Sequence, residues 1–286
     1  IGASEFSERI HANQWWHWFY LSNWASPFGH TVPGMAHFWS VAVEEQFYLV
    51  WPFVVFFVPK RRLAMVCGAV LIATPLIRWG IRMSDLPPSA AYQFTIARWD
   101  ALACGALLAI VLQEPKGQKF LDLNVRRITI ATAGVLGIVT ALRHGLQEND
   151  LWVQVVAQTC FFLLSAAVVF SAQDVRAQST SRLNRVLSSH LLTFFGKYSY
   201  AIYLFHFPIH TALGEYVGGW VNEGQAIAIL MKFTGYVLSV LALSVLGAMI
   251  SWRLIEKPML SLKDRLAPRE GEQRESRSPS QIAAVA

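Results

Sequence analysis

The chain has 286 residues, of which 54% belong to the apolar set AVILMFWYC and only 15% are charged; 24 Lys and Arg against 18 Asp and Glu give a formal charge of +6. Soluble domains carry about 25% charged residues. This composition, with 11 Trp and 18 Phe, excludes a disordered chain, a fibrous repeat and an ordinary cytosolic enzyme, and calls for an integral membrane protein with several spans.

In chain order, residues 1–36 come first. Their aromatic run Trp15, Trp16, Trp18, Phe19, Tyr20 and Trp24 reads as an interfacial segment, or as the end of a span whose beginning lies upstream. The chain begins with Ile, so it reads as a piece of something longer. Seven apolar segments follow, roughly 37–58, 62–81, 94–113, 127–142, 151–172, 191–213 and 226–255, each a helix on the scale of a 30 Å hydrocarbon layer. No period-2 alternation of barrel type interrupts them. The expectation is an all-α polytopic helix bundle over 37–260, then a polar tail, 261–286, read as disordered and cytoplasmic.

Basic residues alternate between the connections. Lys60, Arg61 and Arg62 follow the first segment, Lys116, Lys119, Arg126 and Arg127 the third, Arg176, Arg182 and Arg185 the fifth, and Lys257, Lys263 and Arg265 the seventh. The other connections hold few, and the loop 214–225 holds none. This places the N-terminal stretch outside and the C-terminus in the cytoplasm of a cell's inner membrane. The basic excess is thereby accounted for, and no nucleic-acid partner is expected. Cys67, Cys104 and Cys160 sit singly in apolar runs, so neither a disulfide nor a metal is expected.

Ionisable groups inside spans need a partner, water or a purpose. In the first segment His37, Ser40, Glu44, Tyr48 and Trp51 share one helical face, with Glu45 about 100° round and Gln46 beside it. This is a candidate polar wall of a substrate cavity. In the third segment Arg98 and Asp100 point to opposite sides, so each is expected to pair with another helix. In the sixth, Ser199, Tyr203, His206 and His210 form one stripe, and Pro208 frees the carbonyl of Leu204. Arg78, near the end of the second, is expected to snorkel to the interface, and Glu256-Lys257-Pro258 to stop the seventh helix. With the orientation above, the polar groups of four helices converge on the outer part of the membrane, forming a cavity able to receive a hydroxylic acceptor. Spacing alone leaves enzyme, transporter and channel open.

The block His37-Phe38-Trp39-Ser40-Val41-Ala42-Val43-Glu44-Glu45-Gln46-Phe47-Tyr48-Leu49-Val50-Trp51-Pro52 closely resembles the signature of the acyltransferase-3 family of membrane O-acyltransferases. Arg98 to Gly105, Gly196 to Pro208 and Glu256-Lys257-Pro258 follow in that family's order. The resemblance implies a ten-span fold of which this chain is the C-terminal part. It implies transfer of an acyl group, acetyl in the first place, from acyl-CoA as donor substrate, with no bound cofactor, to a hydroxyl of an extracytoplasmic glycan or glycolipid. Membrane lipid is the surrounding partner. The family's catalytic His and its Arg-x-x-Arg pair are expected upstream of residue 37; His11 and His17 do not match. Glu44 and Glu45 would orient that His or polarise the acceptor. Arg98 would hold Glu44, Glu45 or an anionic acceptor group, and Asp100 would position the third helix. His37, Ser40, Gln46, Tyr48, Arg98, Asp100, Ser199, Tyr203 and His206 are the expected substrate contacts. The rival readings are a secondary transporter coupled through an intramembrane Glu, or an inactive fragment.

Overall fold

The computed structural model describes residues 3–173, 182–221 and 226–266. Among these the chain is mostly helical, the helices joined by short turns and loops, and no strand occurs. Helices α1 (Ala3–Trp18) and α2 (Ser22–Ala25) precede α3 (Trp39–Phe57), α4 (Lys60–Arg82) and α5 (Ala90–Gln93). Then come α6 (Trp99–Leu112), α7 (Pro115–Leu142) and α8 (Gln158–Gln173), the last entered through a π turn, Val153–Ala157. The chain closes with α9 (Arg182–Leu187), α10 (His190–Val221), α11 (Ala226–Ser251), a π turn over Trp252–Glu256, and α12 (Lys257–Leu266). It divides into two compact units between Ser189 and His190.

Five stretches among the described residues are long and apolar enough to cross a membrane: Ala36–Phe57, Lys60–Arg82, Pro115–Leu142, Val153–Ala172 and Ala228–Leu262. These match five of the seven expected spans. The third expected span is the shorter apolar helix Trp99–Leu112, because residues 94–98 belong to an extended residue and a 3₁₀ turn, Thr95–Ala97. The sixth is α10, whose tyrosines, histidines and Lys197 dilute its apolarity. The chain is a multi-pass, all-α membrane protein.

Four local expectations are corrected. Residues 115–126 are the first turns of α7, so Lys116, Lys119 and Arg126 ride on a helix rather than in a loop. The stretch 214–221 continues α10, with residues 222–225 outside the described ones. Glu256-Lys257-Pro258 does not stop the seventh helix. Proline is tolerated where a first turn lacks an amide partner, and the π turn before it takes up the mismatch, so helix runs on to Leu266. Residues 261–266 are therefore helical, and the rest of the expected tail lies outside the described residues.

The first unit packs α4 against α6, and α8 against α6 and α7. Ile81, Ala90, Ala91, Phe94 and Ala97 form its buried apolar cluster, with Trp24 and Ile77 against it. Trp24 stacks on Phe94 with ring centres 4.4 Å apart, which fastens the N-terminal segment to this core. In the second unit α10 and α11 pair. The Phe205 ring lies so close to Gly247 that a Cβ there would meet it at 3.3 Å, and Tyr236 donates to the His210 carbonyl at 2.9 Å.

Candidate active site

The Glu-Glu-Gln triplet occupies the second turn of α3. Glu44 is exposed, Glu45 and Gln46 are half-buried, and Tyr48 is exposed. Glu45, Gln46, Tyr48 and Leu49 line an open cavity of about 360 Å³ together with Phe19 and Tyr20 from the end of α1. The carboxylate of Glu45 thus meets a space large enough for a small hydroxylic molecule. The expected single polar face is split. His37 lies in a 3₁₀ turn, Ala36–Phe38, ahead of the α-helix, which rotates it out of the α-helical register. It is buried, with its ring edge-on to Phe38 at 4.7 Å, whereas Glu44 and Tyr48 look outward. Ser40 donates to the His37 carbonyl at 3.2 Å.

Gln46 is a junction. Its amide nitrogen donates to the Tyr20 carbonyl at 2.5 Å and to Asn23 Oδ1 at 2.8 Å. Its oxygen accepts from Trp24 Nε1 at 3.2 Å and from the Thr95 hydroxyl. All four positions a carboxamide offers are taken by protein. Asn23, fully buried, donates on to Thr95 Oγ1 at 2.8 Å and to the Gln93 carbonyl at 3.3 Å. Tyr20 takes φ +53°, a left-handed turn that ordinary residues adopt sparingly. The turn aims its carbonyl at Gln46.

A second polar centre lies between α4, α6 and α8, and it corrects the reading of Arg78. That guanidinium does not snorkel; it is 0% exposed and paired with Asp100, also 0% exposed. Arg78 Nε donates to the Ala97 carbonyl at 2.8 Å, and Nη1 to the Gln154 carbonyl at 2.7 Å and to Thr159 Oγ1 at 3.4 Å. Asp100 also accepts from the Ala101 amide at 3.0 Å and from Thr159 at 3.4 Å. The physical reason is local charge. An arginine opposite a carboxylate and several carbonyls gains more from them than from reaching the interface. A π turn re-aims backbone carbonyls, and that of Gln154 serves Arg78. The Gln154 side chain, fully buried, donates to the carbonyls of Pro88 and Glu148 at 3.0 and 2.7 Å. As expected, Asp100 finds its partner on another helix.

Arg98 sits immediately before α6. Its guanidinium carbon lies 5.4, 5.1 and 5.4 Å from the ring centres of Trp39, Tyr92 and Phe162, within cation–π range. Its Nη1 donates to Gln158 Oε1 at 3.0 Å. Sequence reasoning passed over Asn23, Thr95, Gln154, Gln158 and Thr159. The signal was present as uncharged polar residues in apolar runs, Gln154 and Gln158 standing four apart on one helix face.

In the second unit Ser199 is exposed and donates back to the Gly196 carbonyl at 3.0 Å. Tyr203 and His206 are half-buried. His206 Nδ1 lies 2.6 Å from the Tyr203 carbonyl, within hydrogen-bond distance. His210 and Tyr236 are bonded to each other across α10 and α11. Among the described residues no three His, Cys, Asp or Glu side chains gather as a metal site would need.

Membrane-crossing helices, one carboxylate lining an open cavity and a separate buried ion-pair centre define an integral membrane protein with polar groups inside its helical part. Residues 6–253 match the family described as "Acyltransferase domain", the acyltransferase-3 family, and the chain belongs to it. It is 27% identical over 249 residues to O-acetyltransferase OatA of Staphylococcus aureus strain NCTC 8325, covering 85% of this chain and 39% of that protein. It is 28% identical over 256 residues to a putative O-acetyltransferase, SAS0844, of strain MSSA476, covering 84% and 40%. The chain thus spans about two-fifths of the length of these relatives. No solved structure matches.

Proposed function

We propose that this chain is the membrane part of an O-acyltransferase that moves an acyl group, acetyl in the simplest case, from acyl-CoA to a hydroxyl of an extracytoplasmic glycan or glycolipid. The observation that carries the reading is the Glu44–Glu45 pair on α3, with Glu45 lining the cavity beside Tyr20 and Tyr48, in a chain of this family. The chemistry asks for little more at that point. The acceptor hydroxyl oxygen attacks the thioester carbonyl carbon, the carbon–sulfur bond breaks, and the hydroxyl proton ends on the CoA sulfur. A carboxylate within hydrogen-bond reach holds the hydroxyl in line and eases removal of its proton, directly or through a base that it orients.

In this reading Gln46 and Asp100 are positioning residues. Gln46 fixes the second turn of α3 against Asn23 and Thr95, and Asp100 fixes α6 against Arg78. Tyr48 lines the acceptor side with Glu45, Arg98, His37 and Ser40 support α3 and α6 behind it, and Ser199, Tyr203 and His206 form the polar stripe of α10 within the second unit. The alternation of basic residues supports an outward N-terminal stretch and a cytoplasmic C-terminus in the inner membrane.

The test is acetyl-CoA-dependent modification of a cell-envelope glycan by the gene product, with Glu44→Gln and Glu45→Gln compared in the same membranes. Loss of a catalytic acid–base partner lowers transfer by about 10²-fold or more, with membrane insertion unchanged. Full transfer by both variants overturns the assignment.

A further inference from the structure

In the second unit the early turns of α10 meet the end of α11. Lys197 Nζ lies 4.3 Å from the ring centre of Trp252 and 5.2 Å from that of Tyr198. Those two rings meet edge to face at 5.9 Å. A ring face attracts an ammonium but offers its N–H groups no oxygen. Lys197 is exposed, and among the described residues no carboxylate lies within 4 Å of it. Its aromatic seat fixes the charge in place and leaves it uncompensated.

The π turn enlarges this cluster. The Lys257 amide donates to the Trp252 carbonyl, and a π turn closes over five residues rather than four. Lys257 therefore comes round to the side of Trp252, where an unbroken α-helix would carry it about 140° away. Arg253 follows Trp252 directly, and both cations are exposed. The one carboxylate of this stretch, Glu256, accepts from Ser251 Oγ at 3.5 Å, so three cations face one acid. Depth adds a second argument. Residues 233–252 contain no Asp, Glu, Lys or Arg, and Lys232 and Arg253 bracket them. At 1.5 Å per residue they measure about 30 Å, the thickness of the hydrocarbon layer. Trp252 thus falls at the edge of that layer and the cations among the head groups. Just past it Leu254, Ile255 and Met259 are each more than half exposed. A soluble phosphate compound would leave these side chains in water, whereas the boundary between head groups and acyl chains suits both them and the cations.

We propose that this end of the α10–α11 pair binds the head group of one anionic phospholipid. Lys197, seated on Trp252, donates to a phosphate oxygen, Arg253 and Lys257 supply further positive charge, and the acyl chains lie against the exposed apolar side chains of the same stretch. In the orientation proposed above this is the inner leaflet, whose anionic lipids attract basic groups at the surface. The inference stands apart from acyl transfer, since it uses no residue of the Glu45 cavity.

Native mass spectrometry of the full chain in non-ionic detergent reads the fraction carrying one phosphatidylglycerol as that lipid is titrated in. A basic residue near an anionic surface is worth about fivefold. Phosphatidylglycerol should therefore bind about tenfold or more tightly than phosphatidylcholine with the same chains. Lys197→Gln weakens it about fivefold, and Lys197→Arg, which keeps a cation over the rings, retains it. Arg253→Gln combined with Lys257→Gln leaves the Lys197 seat untouched and weakens it further. Lys232→Gln, the same charge change towards the other end of α11, leaves binding as it was. Equal affinity for the two lipids overturns the proposal, as does undiminished binding by Lys197→Gln. An equal loss in Lys232→Gln and Lys197→Gln overturns it too, because net charge rather than a site would then be read. So does displacement by glycerol phosphate at the concentration of the lipid, since the cluster would then take a soluble phosphate.

Discussion

Two polar centres in the first unit, built from similar residues, are opposites in how they are finished. At Arg78–Asp100 both side chains are fully buried and are met by carbonyls, a hydroxyl and an amide from α6, α8 and the π turn. At Glu44–Glu45 two acidic groups stand next to each other, one exposed and one lining an open cavity. The first arrangement locks three helices together. The second keeps charge where a small molecule can reach it. An intramembrane charge is thus not functional in itself; what separates structure from chemistry is whether the protein supplies all of its partners.

The sharpest way to break this contrast is to remove one half of the closed centre. Arg78→Leu leaves Asp100 buried without its cation and should cost about 3–5 kcal/mol of stability, read as thermal unfolding of the purified protein in detergent. The double variant Arg78→Leu, Asp100→Leu should recover much of that loss, because no charge is then stranded. A single variant that unfolds at the wild-type temperature would show that the pair is not a lock. The open centre should respond the other way. Glu45→Gln should shift stability by no more than about 0.5 kcal/mol while transfer falls by about 10²-fold. If stability and activity fall together, Glu45 belongs with the structural residues.

Gln46 lies between these extremes, since it neighbours the open carboxylates yet is bonded like the closed pair. Gln46→Leu strands Asn23 Oδ1 and the Thr95 hydroxyl and should cost about 2 kcal/mol. The loss should be localised. Hydrogen exchange would speed up around 20–24 and 93–97 and leave α7 unchanged. Uniform loosening of the unit would contradict the clamp.

The helices and the carboxylate pair were legible in the sequence because long apolar runs and charges inside them are strong signals. Arg78 was misread because depth along one helix says nothing of what faces it. Its partner Asp100 is 22 residues away, and the Gln154 carbonyl that completes the site is backbone. His37 was assigned to the α3 face because a 3₁₀ turn shifts register without any change in composition. The Gln46 network was invisible for a related reason. Asn23 and Thr95 are ordinary loop residues until the left-handed turn at Tyr20 and the Trp24–Phe94 stack bring them to α3. Pairing in the third dimension, rather than residue type, decided every one of these positions.

The smallest effect tests the same distinction at a site outside the spans. Asp150, in the connection between α7 and the first π turn, accepts from Arg143 Nε at 2.7 Å and from the amides of Trp152 and Val153 at 2.9 and 3.2 Å. Burial raises its carboxyl, but the bonds from Arg143 and from the two amides outweigh it and hold the group below the ordinary aspartate value. A carboxyl depressed in the folded state stabilises above its unfolded value, about 3.9, and loses that contribution as pH falls through the folded one. Asp150→Asn keeps an oxygen for the amides but removes the charge. Arg143 is 44% exposed, so solvent screens the pair, and the cost at pH 7 should be only about 0.5–1 kcal/mol. Unfolding of both proteins from pH 7 to pH 3 should show the gap narrowing below about pH 4. A gap that stays constant would mean the amide caps, not the charge, hold this turn.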